Sequence, residues 1–340
     1  MTNQKALIVF AGQGSQFPGM AKAYFENFDL YKKTLEEASD ASGLHLKKIS
    51  FDSSEAEMRE SSIAQVLILS SSIGMWRVLS KQFGILDRLN PVFAGHSLGE
   101  YSALVAAGAF DFSEAVRAVQ KRGQFMSEAV APCVGAMRAL ILREPAQIEK
   151  LQNFCKHVTQ LSGKLVAVAN WNTETQVVLS GYEEALKQVD LLAGKEDAGG
   201  DWKWIRRSIA LDVSGPFHSP LMKKAEDLFL PTLEALSFKN QKSSYIRNID
   251  AKLCEMNSEV EVKKALKEQV CGSVQWYPSL LCAKDSAKDS AKDTAGLPVT
   301  VHAEISPSKV LTNMASRMEA FKEWNFMNFE DPSKIEEVLK

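Results

Sequence analysis

The feature that most constrains the fold is a serine between two glycines, in the segment Gly95-His-Ser-Leu-Gly99. Residues 91–94 before it predict a strand, and residues 98–109 after it predict a helix. Where a strand turns sharply into a helix, the backbones come too close for side chains beside the serine, so glycine is needed. The G-x-S-x-G pattern in this context predicts a nucleophile elbow, with Ser97 at a helix N-terminus where free N–H groups can bind an oxyanion. The alternative is a glycine-rich turn that only starts a helix.

The order of apolar patterns predicts an α/β fold built from two units. Residues 7–10 predict a strand and residues 61–83 a long helix, so the first 130 residues favour a parallel sheet covered on both faces. From residue 135 the pattern changes, and we predict a β-α-β-β-α-β order, which is the split βαβ unit of a ferredoxin-like subdomain. We expect residues 1–133 and 212–340 to form the large domain, and residues 134–211 to form the inserted subdomain. The predicted inserted elements cover residues 137–142, 145–158, 165–171, 176–180, 183–192 and 202–210.

Composition excludes several classes of protein. The chain has 340 residues with 40 Lys+Arg against 42 Asp+Glu, a formal net charge of −2, so there is no global basic field for nucleic acid. The apolar runs are shorter than the roughly 18 residues that a membrane span needs. The N-terminal apolar run at residues 6–10 is also too short for the apolar core of a secretory signal. The five cysteines have no paired or metal-like spacing, which indicates a cytoplasmic, reducing environment. A period-four Ala-Lys-Asp-Ser/Thr repeat at residues 283–294 predicts a solvated helical extension or loop, with partner binding as the alternative.

A nucleophilic serine needs a base, and the chain offers five histidines. His45 and His157 lie in polar or charged surroundings, where we expect them to be solvated. His302 lies in a predicted strand, so a hydrogen-bonded structural role is favoured. His96 adjoins the serine but should point away across the sharp turn. His218 lies in a Gly/Pro loop at residues 213–220, which is the kind of segment that presents a side chain to a site, so it is the favoured base.

Arg122 is the second informative residue. Asp111 and Glu114 predict a capping box that starts a helix, and in that helix Arg122 falls at the edge of the apolar stripe marked by Val119 and Met126. A guanidinium directed at the interior must find an anion or an acceptor there. Two interpretations remain open: a structural ion pair with an Asp or Glu, or a bidentate clamp for a substrate carboxylate.

Several sequence blocks, found in order over nearly the whole chain, together resemble the malonyl-CoA:acyl-carrier-protein transacylase family. The blocks are Phe10-Ala-Gly-Gln-Gly-Ser-Gln16, Gly95-His-Ser-Leu-Gly-Glu-Tyr-Ser-Ala103, Gln120-Lys-Arg-Gly-Gln-Phe-Met126, Gly135-Ala-Met137, residues 213–222, Val274-Gln-Trp276 and Lys309-Val-Leu311. The resemblance implies a hydrolase-like α/β domain interrupted by a ferredoxin-like subdomain, and acyl transfer by a ping-pong mechanism. It implies no cofactor, with malonyl-CoA and an acyl carrier protein as partners, and a monomer.

The resemblance also implies a role for each matching residue. Ser97 would attack the thioester with His218 as base, and the carrier's phosphopantetheine thiol would then take the malonyl group. The backbone N–H groups of Gln13 and Leu98 would hold the oxyanion. Arg122 would bind the free malonyl carboxylate.

Four further positions carry expectations from the same resemblance. The family has no catalytic aspartate, and the backbone carbonyl that orients the histidine maps to Gln269. Gln65 matches a glutamine that lines the family's site. Phe217 is consistent with malonyl over branched malonyl units, because a ring would crowd an α-methyl group; the alternative is an ordinary packing aromatic. Ser306-Pro-Ser308 replaces a common Gly-Pro-Gly turn, so a positive φ at either serine would be strained.

Two other functions remain open from the sequence. One is a related enzyme, either a free-standing polyketide-type acyltransferase or an acyl-thioester hydrolase. An interior arginine argues against a hydrolase that clears uncharged acyl groups. The other is a non-catalytic binding module, which would require a broken site, and no matched position is broken.

Overall fold

The computed structural model describes residues 4–197, 200–239, 241–254, 258–285 and 299–339. The strands predicted at residues 7–10 and 91–94 and the helix predicted at residues 61–83 are confirmed as β1, β2 and α5. The first elements are β1 (Gln4–Phe10), α1 (Lys22–Asn27), α2 (Asp29–Ser42), α3 (Leu46–Asp52), α4 (Glu55–Met58), α5 (Ser61–Gln82), α6 (Ile85–Arg88), β2 (Leu89–Gly95), α7 (Gly99–Ala106) and α8 (Phe112–Glu128).

The remaining elements begin with the predicted change of pattern at residue 135. The middle of the chain forms β3 (Gly135–Leu142), α9 (Ile148–Ser162), β4 (Val166–Thr173), β5 (Gln176–Tyr182), α10 (Glu183–Leu192), β6 (Glu196–Asp197), β7 (Gly200–Asp201) and β8 (Ile205–Ala210). The rest forms α11 (Lys223–Glu234), β9 (Tyr245–Ile246), β10 (Leu253–Cys254), α12 (Glu259–Cys271), α13 (Trp276–Asp285), β11 (Val301–Glu304), α14 (Val310–Ala315), β12 (Asn325–Asn328) and α15 (Ile335–Val338).

Two main sheets make this a mixed α/β protein. A six-stranded sheet has the order β10-β9-β2-β1-β11-β12 and is parallel except for the β9–β10 pair. A separate four-stranded antiparallel sheet has the order β4-β5-β3-β8. A single bridge joins Asn170 of β4 to Val274, so the antiparallel sheet is tied to the segment between α12 and α13.

Burial on both faces explains the apolar runs. Residues 6–10 of β1 have no exposed surface, as expected for the central strand of a parallel sheet. Helix α5 is the one helix in the described ranges that is long and apolar enough to cross a membrane, and 83% of its apolar window is buried within the protein. It packs against α8 and α2 and beside α7, so its hydrophobicity supplies the core beneath the predicted site.

The predicted capping box at the start of α8 is wrong. Asp111 is the N-cap residue, but its side chain accepts no bond from the first turn of the helix. It forms an ion pair with Lys239, while the Glu114 carboxylate accepts hydrogen bonds from Ser237 N at 2.9 Å and Ser237 Oγ at 3.0 Å. Both carboxylates therefore bond residues of the segment that follows α11, because these donors compete with the backbone N–H groups at the start of α8.

Two departures from the family pattern have different outcomes. Ser306 and Ser308 are not among the described residues with positive φ, so the turn carries no left-handed strain at either serine. Ser306 Oγ instead lies within hydrogen-bonding distance of two acceptors, a Glu304 carboxyl oxygen at 3.0 Å and the Ser308 carbonyl oxygen at 2.7 Å. The Ala-Lys-Asp-Ser/Thr repeat lies outside the described residues, except for residues 283–285 at the end of α13.

Candidate active site

The predicted elbow is present where β2 turns into α7. Ser97 has φ 51°, a left-handed backbone conformation that residues other than glycine rarely adopt. A Cβ atom at Gly95 would lie 1.9 Å from the carbonyl carbon of Gly99, and one at Gly99 would lie 2.0 Å from the Phe10 carbonyl oxygen. Both glycines are therefore required by the close approach of backbones that the sequence predicted.

His218 meets Ser97 from the loop that leads into α11. Its Nε2 lies 2.7 Å from Ser97 Oγ, and its Nδ1 lies 2.9 Å from the backbone carbonyl oxygen of Gln269. A carbonyl oxygen only accepts, so Nδ1 carries the ring proton and Nε2 is left to accept the serine proton. Burial, reinforced by the charge of Arg122, lowers the pKa of His218 to about 3. The imidazole is therefore neutral at pH 7 and able to act as a base.

The other histidines lie away from Ser97 Oγ. His96 points away from it, as predicted: its Nε2 lies 2.9 Å from Asn172 Oδ1, and burial lowers its pKa. His45 is exposed at the start of α3. The sequence predicts that His157 is solvated, but it is half-buried, and its ring centroid lies 5.2 Å from that of Trp202.

The predicted hydrogen bond of His302 is wrong. The residue lies in β11 and is fully buried, but neither ring nitrogen has a hydrogen-bond partner in the part of the chain that the structure describes. Its ring packs near Trp324 and Phe326, with centroids 6.1 and 5.3 Å away. Apolar surroundings hold this histidine, and burial lowers its pKa to about 4.

Arg122 enters the site from α8 and is 1% exposed. Its Nη1 donates to Gln65 Oε1 and its Nη2 to Gln269 Oε1, each at 2.9 Å, and Nη2 lies 3.3 Å from Ser97 Oγ. Within the described residues the guanidinium bonds two amide oxygens and a hydroxyl and forms no ion pair with a carboxylate, so the interpretation as a structural ion pair is wrong. Two neutral amides orient the cation, and its charge is left available for an anion.

Two glutamines form the wall behind Arg122. Gln65 lies on α5 and is 1% exposed, and it contacts the arginine from outside the cavity rather than lining it. Gln269, at the end of α12, orients His218 through its carbonyl and Arg122 through its side-chain oxygen. Its Nε2 also donates to the Ser97 carbonyl at 3.0 Å. Gln269 thus bonds the His218 ring, the Arg122 guanidinium and the Ser97 backbone at once.

Two backbone N–H groups near the serine are available as donors. The N–H groups of Gln13 and Leu98 donate to no other group in the described ranges. The N–H of Ser97 is occupied, because it donates to Asn248 Oδ1 at 2.7 Å. The two N–H groups predicted to bind an oxyanion are therefore free to donate, whereas the N–H of Ser97 is not.

A cavity of about 700 Å³ lies between the two sheets, and Leu98 is not among the residues that line it. Gln13, Ser97, Arg122, His218 and Phe217 line it. Among the described residues there is no group of three or more His, Cys, Asp or Glu placed to hold a metal ion. The cavity offers a hydroxyl, a neutral imidazole, a cation and N–H donors.

Sequence reasoning missed two buried residues beneath the elbow. Glu100 accepts from Gln269 Nε2 and from the Asn248 N–H, and burial raises its pKa to about 8. The Asn248 side chain bridges Gly95 and Ser97. Glu100 directly follows the G-x-S-x-G pattern and could have been noticed there, but nothing in the sequence marks Asn248.

Comparisons with known proteins agree with this geometry. The model of the acyl transferase domain family matches residues 7–322. The chain is 35% identical over 338 residues to the malonyl CoA-acyl carrier protein transacylase of Bacillus subtilis, covering 99% of this chain and 96% of that one. The solved acyl carrier protein S-malonyltransferase of Vibrio cholerae is 32% identical, with a TM-score of 0.83 over 98% of this chain and 100% of that one. A malonyl-transacylase solved in complex with a type II polyketide synthase acyl-carrier protein is 31% identical, with a TM-score of 0.85 and 99% of each chain covered.

Proposed function

The chain belongs to the acyl transferase domain family, and on that premise we propose that it moves malonyl from malonyl-CoA to the phosphopantetheine thiol of an acyl carrier protein. The observation that carries this proposal is the position of one hydroxyl. Ser97 Oγ lies 2.7 Å from the base His218 and 3.3 Å from the cation Arg122. Transfer of this kind supplies malonyl units for fatty acid elongation in the cytoplasm.

The first half-reaction forms a malonyl-serine. Ser97 Oγ attacks the thioester carbonyl carbon as its proton passes to His218 Nε2, and the N–H groups of Gln13 and Leu98 stabilise the oxyanion. When the tetrahedral intermediate collapses, the C–S bond breaks and the imidazolium returns the proton to the sulfur, so that free coenzyme A leaves. The Gln269 carbonyl stabilises the imidazolium through Nδ1–H, in the role that an aspartate has in other triads.

The second half-reaction is the reverse, with a different thiol. His218 takes the proton of the carrier's phosphopantetheine thiol, and the thiolate attacks the malonyl-serine carbonyl. The C–O bond to Ser97 breaks, and the proton passes from His218 to the serine oxygen. A thioester is an activated acyl donor, so a serine, an imidazole and N–H donors are sufficient.

Arg122 fixes the other end of the acyl group. The malonyl carboxylate is only one methylene from the reacting carbonyl, so a guanidinium close to Ser97 Oγ can bind the one while the serine attacks the other. This grip holds the malonyl-enzyme in one orientation until the second thiol arrives. Phe217 lines the same cavity and would crowd an α-methyl branch.

We propose the same division of the chain that the sequence predicted. Residues 1–133 and 212–340 would form the hydrolase-like domain and residues 134–211 the ferredoxin-like subdomain. The antiparallel order β4-β5-β3-β8, with α9 and α10 as the two crossovers, supports the second assignment. The elbow at the carboxyl end of a parallel strand supports the first.

Intact-mass spectrometry tests the proposed function. After mixing with malonyl-CoA, the protein should gain one malonyl group, lost when holo acyl carrier protein is added, while the carrier gains the same mass. Ser97→Ala should show no adduct, and Ser70→Ala, a buried serine elsewhere, should behave as wild type. Loss of the adduct to water without a carrier would favour a hydrolase, and no adduct would favour a binding module.

The carrier's pathway is a second question. Similarity to a transacylase solved with a type II polyketide synthase carrier favours a polyketide carrier as an alternative recipient. Competing transfer to a fatty acid carrier and a polyketide carrier in one reaction would rank them by kcat/KM.

A further inference from the structure

Asn248 lies directly beneath the elbow, in the turn between β9 and β10. Strand β9 is the parallel neighbour of β2, with Tyr245 paired to Phe93. Because the carboxyl ends of neighbouring parallel strands meet at one edge, Asn248 and the elbow are brought together there. Asn248 has no exposed surface.

The Asn248 side chain spans the strained residue. Its Nδ2 donates to the Gly95 carbonyl at 2.6 Å, and its Oδ1 accepts from the Ser97 N–H at 2.7 Å. The Gly95 carbonyl and the Ser97 N–H have no hydrogen-bond partner within β2 or α7, because the chain leaves the strand at Gly95 and enters the helix only at Gly99. A buried backbone group without a partner is costly, so a side chain with one donor and one acceptor suits this position.

Asn248 is itself held in place from both sides. Its N–H donates to Glu100 Oε1 at 3.3 Å, and its carbonyl accepts from the Gln275 N–H at 2.8 Å. The Glu100 carboxylate also accepts from Gln269 Nε2, so Asn248 shares an anchor with the residue that orients His218. The elbow and the base are therefore fixed to the same buried framework.

We propose that Asn248 is a positioning residue that holds Ser97 in its left-handed conformation, with Oγ directed at His218 and the Ser97 N–H kept out of the oxyanion site. This inference rests on the proposed role of Ser97 as nucleophile. Without the bridge, Ser97 can relax toward a negative φ, which rotates Oγ away from Nε2. The effect should fall on the chemical step and should be independent of the acyl group, because Asn248 does not contact Arg122.

Single-turnover acylation tests this proposal with Asn248→Ala and Asn248→Asp. The aspartate variant keeps the volume and an acceptor for the Ser97 N–H, but it places an acceptor against the Gly95 carbonyl, so it remains informative if the alanine variant does not fold. We expect the acylation rate constant to fall about 10- to 100-fold, by the same factor for malonyl-CoA and acetyl-CoA. The half-saturating concentration of malonyl-CoA should stay within about twofold. The control is Gln241→Leu, which removes a buried amide whose side chain has no hydrogen-bond partner among the described residues.

The outcomes separate this proposal from its alternatives. Rates are expressed per molecule that can be acylated at long times, so loss of folded protein does not count as loss of catalysis. An unchanged rate constant with only a lower melting temperature would show a purely structural role, and a loss confined to malonyl would show that Asn248 acts through Arg122. Both results would overturn the proposal. If wild-type protein fails to take up malonyl, the proposed function fails, and the reaction of Ser97 with phenylmethanesulfonyl fluoride still measures whether Asn248→Ala slows the serine.

Discussion

The guanidinium of Arg122 lies 3.3 Å from the hydroxyl oxygen of Ser97, the same oxygen that His218 contacts at 2.7 Å. A cation this close to the nucleophile can reach only an anion that is a short distance from the reacting carbonyl. This position suits an acyl group that ends in a carboxylate one carbon away from the reacting carbonyl. In the proposed reaction, Arg122 selects the acyl group, and Ser97 and His218 carry out the transfer.

Removing the Arg122 charge should change selectivity more than reactivity. Arg122→Ala loses a charge-assisted contact of about 2–3 kcal/mol with the malonyl carboxylate, so malonyl loading should fall roughly 30- to 150-fold. Acetyl loading, which has no carboxylate to bind, should fall far less. The measurement is kcat/KM for acylation by the two thioesters, with Arg117→Ala, at an exposed position on the same helix, as control. Equal losses for the two acyl groups would show that Arg122 is structural.

Acylation should persist in mild acid, because the pKa of His218 is lowered to about 3 by burial and the Arg122 charge. The imidazole must be neutral to accept the serine proton, so activity is lost only as pH falls through this low value. We expect no acid limb between about pH 5 and 7 in the rate of acylation by acetyl-CoA. Arg122→Ala removes one cause of the lowered pKa, so its acid limb should move to higher pH. A wild-type limb near the ordinary histidine value would contradict this prediction.

The size of Phe217 should exclude α-branched acyl groups. Phe217→Ala opens the wall of the cavity, and the kcat/KM ratio of methylmalonyl-CoA to malonyl-CoA should rise about 10-fold, which is the order of one methyl group's effect in a pocket. Phe229→Leu is a control for loss of a buried ring elsewhere, because this phenylalanine is buried in the core and does not line the cavity. If Phe217→Ala leaves the ratio unchanged, the ring only packs.

The strain at Ser97 should be visible in stability. With φ 51°, Ser97→Gly should be about 1 kcal/mol more stable to urea unfolding than Ser97→Ala, because glycine adopts this conformation without steric cost. Both variants lack the hydroxyl and should form no adduct. At Ser102, inside α7, the order should reverse, with alanine more stable than glycine by about 1 kcal/mol. If the alanine variant is the more stable one at Ser97 as well as at Ser102, the elbow is unstrained.

Buried His302 should make the protein less stable in acid. Burial lowers its pKa to about 4, so between about pH 6.5 and that value the unfolded chain binds a proton that the folded chain does not, and the free energy of unfolding falls as pH falls. At about pH 5 this loss in the free energy of unfolding approaches 2 kcal/mol. His302→Phe has no imidazole to protonate, so its free energy of unfolding relative to wild type should rise by about 2 kcal/mol between pH 7.5 and about pH 5. Urea unfolding at both values measures the difference, with His45→Phe, at an exposed position, as control. A constant difference between the two pH values would mean that the folded state also protonates His302.

The sequence by itself determined the elbow and the order of the elements. A strand-to-helix turn that presses Gly95 against Gly99 can be recognised locally, because a Cβ atom at Gly95 would meet residues only four and five positions along the chain. The need for glycine at position 99 also depends on β1, because a Cβ atom there would meet the Phe10 carbonyl oxygen. Long apolar runs such as α5 were equally readable. The capping box at Asp111 failed for the opposite reason: carboxylates that could cap a helix found stronger donors more than 120 residues away in sequence.

Only the tertiary structure decided which distant groups meet at Ser97. That His218 is oriented by a backbone carbonyl, that Arg122 is held by two amides instead of a carboxylate, and that Asn248 supports the elbow all depend on how α8, α12 and the β9–β10 turn converge. Asn248 lies 151 residues from Ser97, and no periodicity or spacing links them. Steric limits within a tight turn depend on residues close in sequence, so they can be predicted locally. The hydrogen bonds of a buried site depend on which elements pack against each other in the core, so they require the tertiary structure.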